Sequence, residues 1–183
     1  MIEQTELPGV VLLVAKVHRD ARGAFRETLR ATELAEAGFT RPIVQENLAE
    51  THGRGFLRGL HFQRAPHDQE KLLQVISGTI FDVAVDIRPG SPTFGRWMGI
   101  TLAADEPRQI FIPRGFAHGY LTLTDDCRVL YKTGAYYTPD AEGGLRWDDP
   151  AVGIDWPMPA ADIVTNPRDA AWPSLAEVAA ARG

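Results

Sequence analysis

A single cysteine, Cys127, is all the thiol this 183-residue chain carries. No intramolecular disulfide and no cysteine-rich zinc site can form from it, and such scarcity suits a reducing cytoplasm. Basic charge is not in excess. The formal net charge of −5 argues against general nucleic-acid binding, which favours a basic surface, but it leaves room for a local basic pocket. No apolar run is long enough to span a membrane. The first residues, Met1-Ile2-Glu3-Gln4-Thr5-Glu6, lack the basic-then-apolar order of a signal peptide. There is no internal repeat, low-complexity segment or linker, so one domain over residues 1–183 is expected. Its 44% hydrophobic and 23% charged residues are those of an ordinary globular protein, long enough to bury a core.

Helical signals are also scarce. Thr32–Ala37 reads as a short helix with Thr32 as N-cap and Gly38 as its stop. Ser174-Leu175-Ala176-Glu177 is a capping box that opens a short C-terminal helix. What is abundant is punctuation. Glycine (17) and proline (13) are spread between short apolar runs, the pattern of many short strands. Strands are expected at 10–17, 24–29, 43–49, 55–62, 72–76, 79–87, 97–102, 109–112, 117–123 and 129–134. Phe81-Asp82-Val83-Ala84-Val85-Asp86-Ile87 alternates, with Phe81, Val83, Val85 and Ile87 on one face and Asp82, Ala84 and Asp86 on the other. Ser77-Gly78 suits a hairpin turn. These features predict an all-β fold, a double-stranded β-helix of the cupin or jelly-roll type with short peripheral helices.

Two motifs carry the chemistry. Arg58-Gly59-Leu60-His61-Phe62-Gln63 and Pro113-Arg114-Gly115-Phe116-Ala117-His118-Gly119 each place a histidine at the end of a β-rich run. Cupins commonly hold a metal through His-x-His, a following Glu and a later His. Here Gln63 stands for the second histidine and Lys71 stands near the glutamate position, with Glu70 one place out of phase. A charged ammonium cannot ligate and repels a divalent cation, so a metal site is not expected. What remains is His61, Lys71, His118 and Arg58 around a pocket mouth. Neutral imidazole is a good general base, an ammonium stabilises an oxyanion, and Tyr131 on another strand could supply an acid. That set fits proton abstraction next to a carbonyl. A strand histidine is also, more often, a hydrogen-bonded structural residue, and a strand tyrosine more often packs.

The chain resembles the dTDP-4-dehydrorhamnose 3,5-epimerases. The similarity lies in Asp20-x-Arg22-Gly23-x-Phe25-x-Glu27, Gln45-Glu46-Asn47, Arg58 to Gln63, Gln69-x-Lys71-Leu72, Phe81 to Asp86, Ser91-Pro92-Thr93-Phe94-Gly95, Gly115 to Gly119, Tyr131-Lys132-Thr133 and Arg146-Trp147-Asp148-Asp149-Pro150. It runs from about residue 8 to about residue 176. The resemblance implies a metal-free, cofactor-independent homodimer that inverts C3 and C5 of dTDP-4-dehydro-6-deoxy-D-glucose to give dTDP-4-dehydro-L-rhamnose. It implies His61 as base, Asp169 as its carboxylate partner, Lys71 facing the enolate oxygen and Tyr131 as acid from the opposite face. Asp82 is a rival partner for His61, or a partner for Lys71. The implied substrate contacts are Arg22, Arg58, His118 and Arg168 for the diphosphate, Glu27, Gln45 and Asn47 for thymine or ribose edges, and Phe25 and Tyr136 as stacking faces. Glu46 and Glu142 also match the pattern, and the segment carrying Arg22, Phe25 and Glu27 is expected to reach the other subunit's pocket.

The sequence departs from the family at Leu48-Ala49, where His-Ser is usual, at Phe62, at His67-Asp68 and at Arg168, where Lys is common. These bear on the shape of the sugar pocket. Three rival readings stay open: a single-centre 3- or 5-epimerase of another dTDP-4-keto-6-deoxyhexose, a non-catalytic sugar-binding cupin, and a metal-dependent cupin enzyme.

Overall fold

Phe81, Val83, Val85 and Ile87 do share one face of a strand, and Ile80 and Ala84 pack on the other. Both faces are buried, so both must be covered. The computed structural model describes residues 1–181 and shows how; the last two residues of the expected domain lie outside the described span. The strands are β1 (Ile2–Gln4), β2 (Val11–Val14), β3 (Val17–Asp20), β4 (Gly23–Arg26), β5 (Gln45–Thr51), β6 (Leu57–Gln63), β7 (Lys71–Ser77), β8 (Thr79–Asp86), β9 (Trp97–Ala103), β10 (Arg108–Ile112), β11 (Phe116–Thr122), β12 (Cys127–Thr133) and β13 (Glu142–Gly144). The helices are short: α1 (Ala31–Glu36), α2 (Pro167–Ala170) and α3 (Leu175–Ala180).

A six-stranded sheet, β1-β2-β10-β7-β12-β5, faces a five-stranded sheet, β13-β6-β11-β8-β9. The fold is the jelly-roll double sheet expected. Leu73, Val75, Ile80, Ala84, Ile110, Ile112, Tyr120 and Val129 fill the space between the sheets. Outside the five-stranded sheet, Leu60, Phe62, Val83, Val85, Ile87 and Ala117 are covered by Leu145, Val152, Leu175 and Val178 of the C-terminal segment. Outside the other sheet, Val11, Leu13, Leu72 and Phe111 are covered by Leu34 and Phe39, on and after α1. Covering a sheet on both faces explains why every residue of β11 is buried.

Three expectations are corrected. Residues 10–17 are not one strand: β2 stays in the six-stranded sheet, while β3 leaves it to pair with β4 as a separate ribbon. Thr32 does not cap α1; the N-cap is Arg30, which makes no side-chain capping bond. Ser77-Gly78 is not a hairpin, because β7 and β8 belong to different sheets. It is a corner at which the chain changes sheets, and Gly78 turns it at φ +78°, a region that suits glycine. The short β1 and β13 carry too few residues for a period to show. The capping box at Ser174 is present, with Ser174 and Glu177 bonded reciprocally.

Asp86, fully buried on β8, accepts bonds from Arg88, Ser91 and Thr93 and anchors the turn after its strand. Burial pushes its carboxyl up, but these donors outweigh burial and hold it well below the usual value of 3.8. A carboxyl lowered on folding adds stability that is present above its unfolded pKa and is lost as pH falls through the folded one. Asp86→Asn should therefore lower Tm at pH 6 and flatten the fall in Tm between pH 4 and 2. A variant that loses Tm equally at every pH would contradict this assignment.

Candidate active site

The strongest structural surprise lies within β6. In a regular strand Arg58 and His61 would point to opposite faces. Pairing with β11 runs His118 to His61 and Tyr120 to Arg58, so β6 carries one extra residue there, a β-bulge. The bulge turns Arg58 and His61 into the same cavity. Gly59, at φ +129°, makes this approach feasible: a Cβ there would lie 2.6 Å from Gly119 Cα and 2.8 Å from the His118 carbonyl oxygen.

The cavity, of about 380 Å³, opens between the two sheets. The five-stranded sheet contributes Arg58, His61, His118 and Tyr120; the six-stranded sheet contributes Gln45, Asn47, Lys71 and Tyr131. Glu142, Arg168 and Asp169 complete its wall.

His61 Nε2 lies 2.8 Å from Asp169 Oδ1, which leaves Nδ1 for the cavity. Asp169, not Asp82, is the partner. Its carboxylate is wholly buried and also accepts from the Gly59 N–H at 3.0 Å, Trp172 Nε1–H at 3.2 Å and Arg168 Nε–H at 3.4 Å. Asn166 caps the short α2, its Oδ1 accepting from the Asp169 N–H at 2.8 Å, and so aims the carboxylate. Burial would raise the Asp169 carboxyl, but the bond and charge of His61, the Gly59 N–H and Arg168 bring it below its ordinary value. An ionised carboxylate fixes the imidazole tautomer and stabilises the imidazolium.

Asp82 serves His118, with Oδ2 2.9 Å from His118 Nε2, and its charge also reaches Lys71. Burial lowers the Lys71 ammonium to about 8, against the pull of Asp82 and Glu142. Tyr131 is raised, chiefly by burial, with Arg58 opposing and Glu142 reinforcing. It keeps its proton across the neutral range. Because the ammonium is present below its pKa and lost above it, kcat should fall above about pH 8, and Lys71→Arg should move that fall to higher pH. A limb that stays in place would assign it to another group.

The sequence model of the dTDP-4-dehydrorhamnose 3,5-epimerases matches residues 4–177. The chain belongs to that family. The curated enzyme of that name from Methanothermobacter thermautotrophicus is 45% identical over 175 residues, covering 95% of this chain and 94% of that one. The crystal structure of dTDP-6-deoxy-D-glucose-3,5-epimerase from Legionella pneumophila, in complex with dTDP-4-keto-L-rhamnose, superposes with a TM-score of 0.91 at 40% identity, over 97% of this chain and 96% of that one. A 3'-monoepimerase from Streptomyces bikiniensis, in complex with dTDP-quinovose, gives 0.86 at 35% identity over 97% and 88%. The chain is thus an epimerase of the isomerase class.

Not every residue implied by the family resemblance reaches this cavity. Glu46 turns to the other face of β5 and pairs with Lys132 at 2.7 Å, as alternation between Gln45 and Asn47 requires. Tyr136 is 67% exposed, whereas its neighbour Tyr137 lines the cavity and donates its hydroxyl to Glu142 Oε2 at 3.0 Å. Arg22 pairs with Asp20, Glu27 with Arg30, and Phe25 is 71% exposed; all three stand away from the chain's own cavity. Gln63, at the second cupin ligand position, is committed elsewhere: Nε2 donates to the His67 and Tyr136 carbonyls and Oε1 accepts from the Thr138 N–H.

Sequence reasoning missed Tyr120, Tyr137 and Trp172. Tyr120 had a signal, since it stands two residues after His118 on one strand and so on its face. Tyr137 and Trp172 lie in loops, where no period marks direction.

Proposed function

We propose that this epimerase takes dTDP-4-dehydro-6-deoxy-D-glucose and inverts C3 and C5, giving dTDP-4-dehydro-L-rhamnose by acid/base proton transfer without a cofactor. One observation carries the reading: the carboxylate-backed His61 stands on one sheet, and Lys71 and Tyr131 stand on the facing sheet, around a single cavity. The C4 ketone acidifies the protons on both neighbouring carbons. His61 Nδ1 removes one from one side of the ring. Lys71 meets the enolate oxygen, where charge develops. Tyr131 returns a proton from the other side, and protonation on the face opposite to abstraction inverts the centre.

Arg58 and Arg168, with His118, supply donors for the diphosphate. Gln45 and Asn47 offer bonds to thymine or ribose, and Glu142 holds Tyr137 and Arg168 at the mouth. The enzyme acts as a homodimer in which Arg22, Phe25 and Glu27 of the β3–β4 ribbon serve the pocket of the second copy; their exposure away from the chain's own cavity supports this reading, and the lone cysteine fits a cytoplasmic setting. Tyr136 and Glu46 are left without a role at the chain's own cavity.

The test is product identity. Substrate incubated with the protein and a ketoreductase should yield, after hydrolysis, L-rhamnose. A sugar inverted at one centre only would favour the second reading, a monoepimerase, which the similarity to the Streptomyces bikiniensis enzyme keeps in play.

A further inference from the structure

Trp172 touches both members of the His61–Asp169 pair. Its Nε1–H donates to Asp169 Oδ1 at 3.2 Å, the same oxygen that faces His61 Nε2. Its ring meets the His61 imidazole edge-on, with centroids 6.1 Å apart and planes at 79°. It is not among the residues that line the cavity.

The indole has a built seat. Gly144 on β13 pairs directly with His61 on β6, and a Cβ at Gly144 would fall inside the Trp172 ring. Only glycine leaves that space. The chain beyond the indole is fastened as well: the Arg146 N–H donates to the Pro173 carbonyl at 2.9 Å, and the Leu175 N–H donates to Asp149 Oδ2 at 2.6 Å. The Arg168 guanidinium lies over the indole, 5.8 Å from its centroid.

We propose that Trp172, seated on Gly144, is a positioning residue for the catalytic pair, holding the Asp169 carboxylate and the His61 ring in the orientation that points Nδ1 at the substrate carbon. Asp169 Oδ1 faces His61 Nε2 and also accepts from Trp172 Nε1–H at 3.2 Å and, more weakly, from Arg168 Nε–H at 3.4 Å, so the indole is the nearer of the two further donors that restrain this oxygen of the carboxylate supporting the imidazole. Side chains that orient a catalytic group carry rate without touching substrate. The inference rests on His61 being the base.

Trp172→Phe removes the N–H and keeps an aromatic ring in the seat. Loss of one bond to a charged acceptor predicts a kcat about tenfold lower. KM and dTDP affinity should be unchanged, and deuterium entry at C3 and C5 should slow by the same factor. Gly144→Ala, which displaces the indole without altering it, should reproduce the loss. Wild-type kcat in Trp172→Phe, or a fall in kcat that arrives with equal losses in Tm and dTDP affinity, would overturn the proposal. His61→Ala measured alongside separates the two readings: exchange surviving in it removes the base itself, whereas exchange lost there but intact in Trp172→Phe removes only the role of Trp172.

Discussion

His61→Ala should abolish deuterium incorporation at C3 and C5 of the keto sugar while leaving dTDP binding close to wild type. The size of the loss follows from the role. A positioned general base is worth about 10²–10⁴ in rate, and His61 should lie at the upper end because it is backed by a fully buried carboxylate 2.8 Å away. Binding should survive because the proposed diphosphate donors, Arg58, His118 and Arg168, have supports of their own. Arg58 is held by Thr51 Oγ1 and the Glu50 carbonyl, His118 by Asp82 and Arg168 by Glu142. Loss of dTDP affinity with exchange intact would make His61 a ligand contact instead. Alanine leaves Asp169 with the Gly59, Trp172 and Arg168 donors, so the buried carboxylate is not orphaned and the variant should fold.

Tyr131→Phe should separate two rates that fall together in His61→Ala. The acid acts after abstraction, so net inversion should drop about 100-fold while exchange with solvent at the abstracted position falls much less. The geometry supports that order. Tyr131 stands on β12, opposite Asn47 and Leu73 of its neighbours, in the sheet that faces the one bearing His61. Burial holds its hydroxyl in the protonated form, and Phe preserves its packing against the inter-sheet core. Equal losses in exchange and inversion would show that Tyr131 acts in the abstraction step or in binding.

How much of this was legible differs residue by residue, for physical reasons. Strand β8 was readable to the face, because its two-residue period is unbroken and both faces are buried. The facing of Asn47 and Glu46 was readable in principle by the same rule. The convergence of Arg58 and His61 was not, because the bulge at Gly59 breaks the period, and that register shift is set by pairing with β11, far along the chain. Ser77-Gly78 has the composition of a hairpin but joins two sheets, since turn residues report local curvature and not which strands pair. Asp169 sits 108 residues from His61, and only the wrapping of the C-terminal segment over Leu60 and Phe62 brings it home. It was named through family resemblance; the fold supplies the reason. Trp172 had no pattern to betray it, because its meaning depends on an absent side chain at Gly144.

The most direct measurement is proton NMR of dTDP-4-dehydro-6-deoxy-D-glucose with the wild-type protein in D2O. Deuterium should enter at both C3 and C5, with the L-configured product captured by a ketoreductase. Exchange confined to one carbon would contradict inversion at two centres, and exchange at neither would contradict His61 as a base toward this substrate.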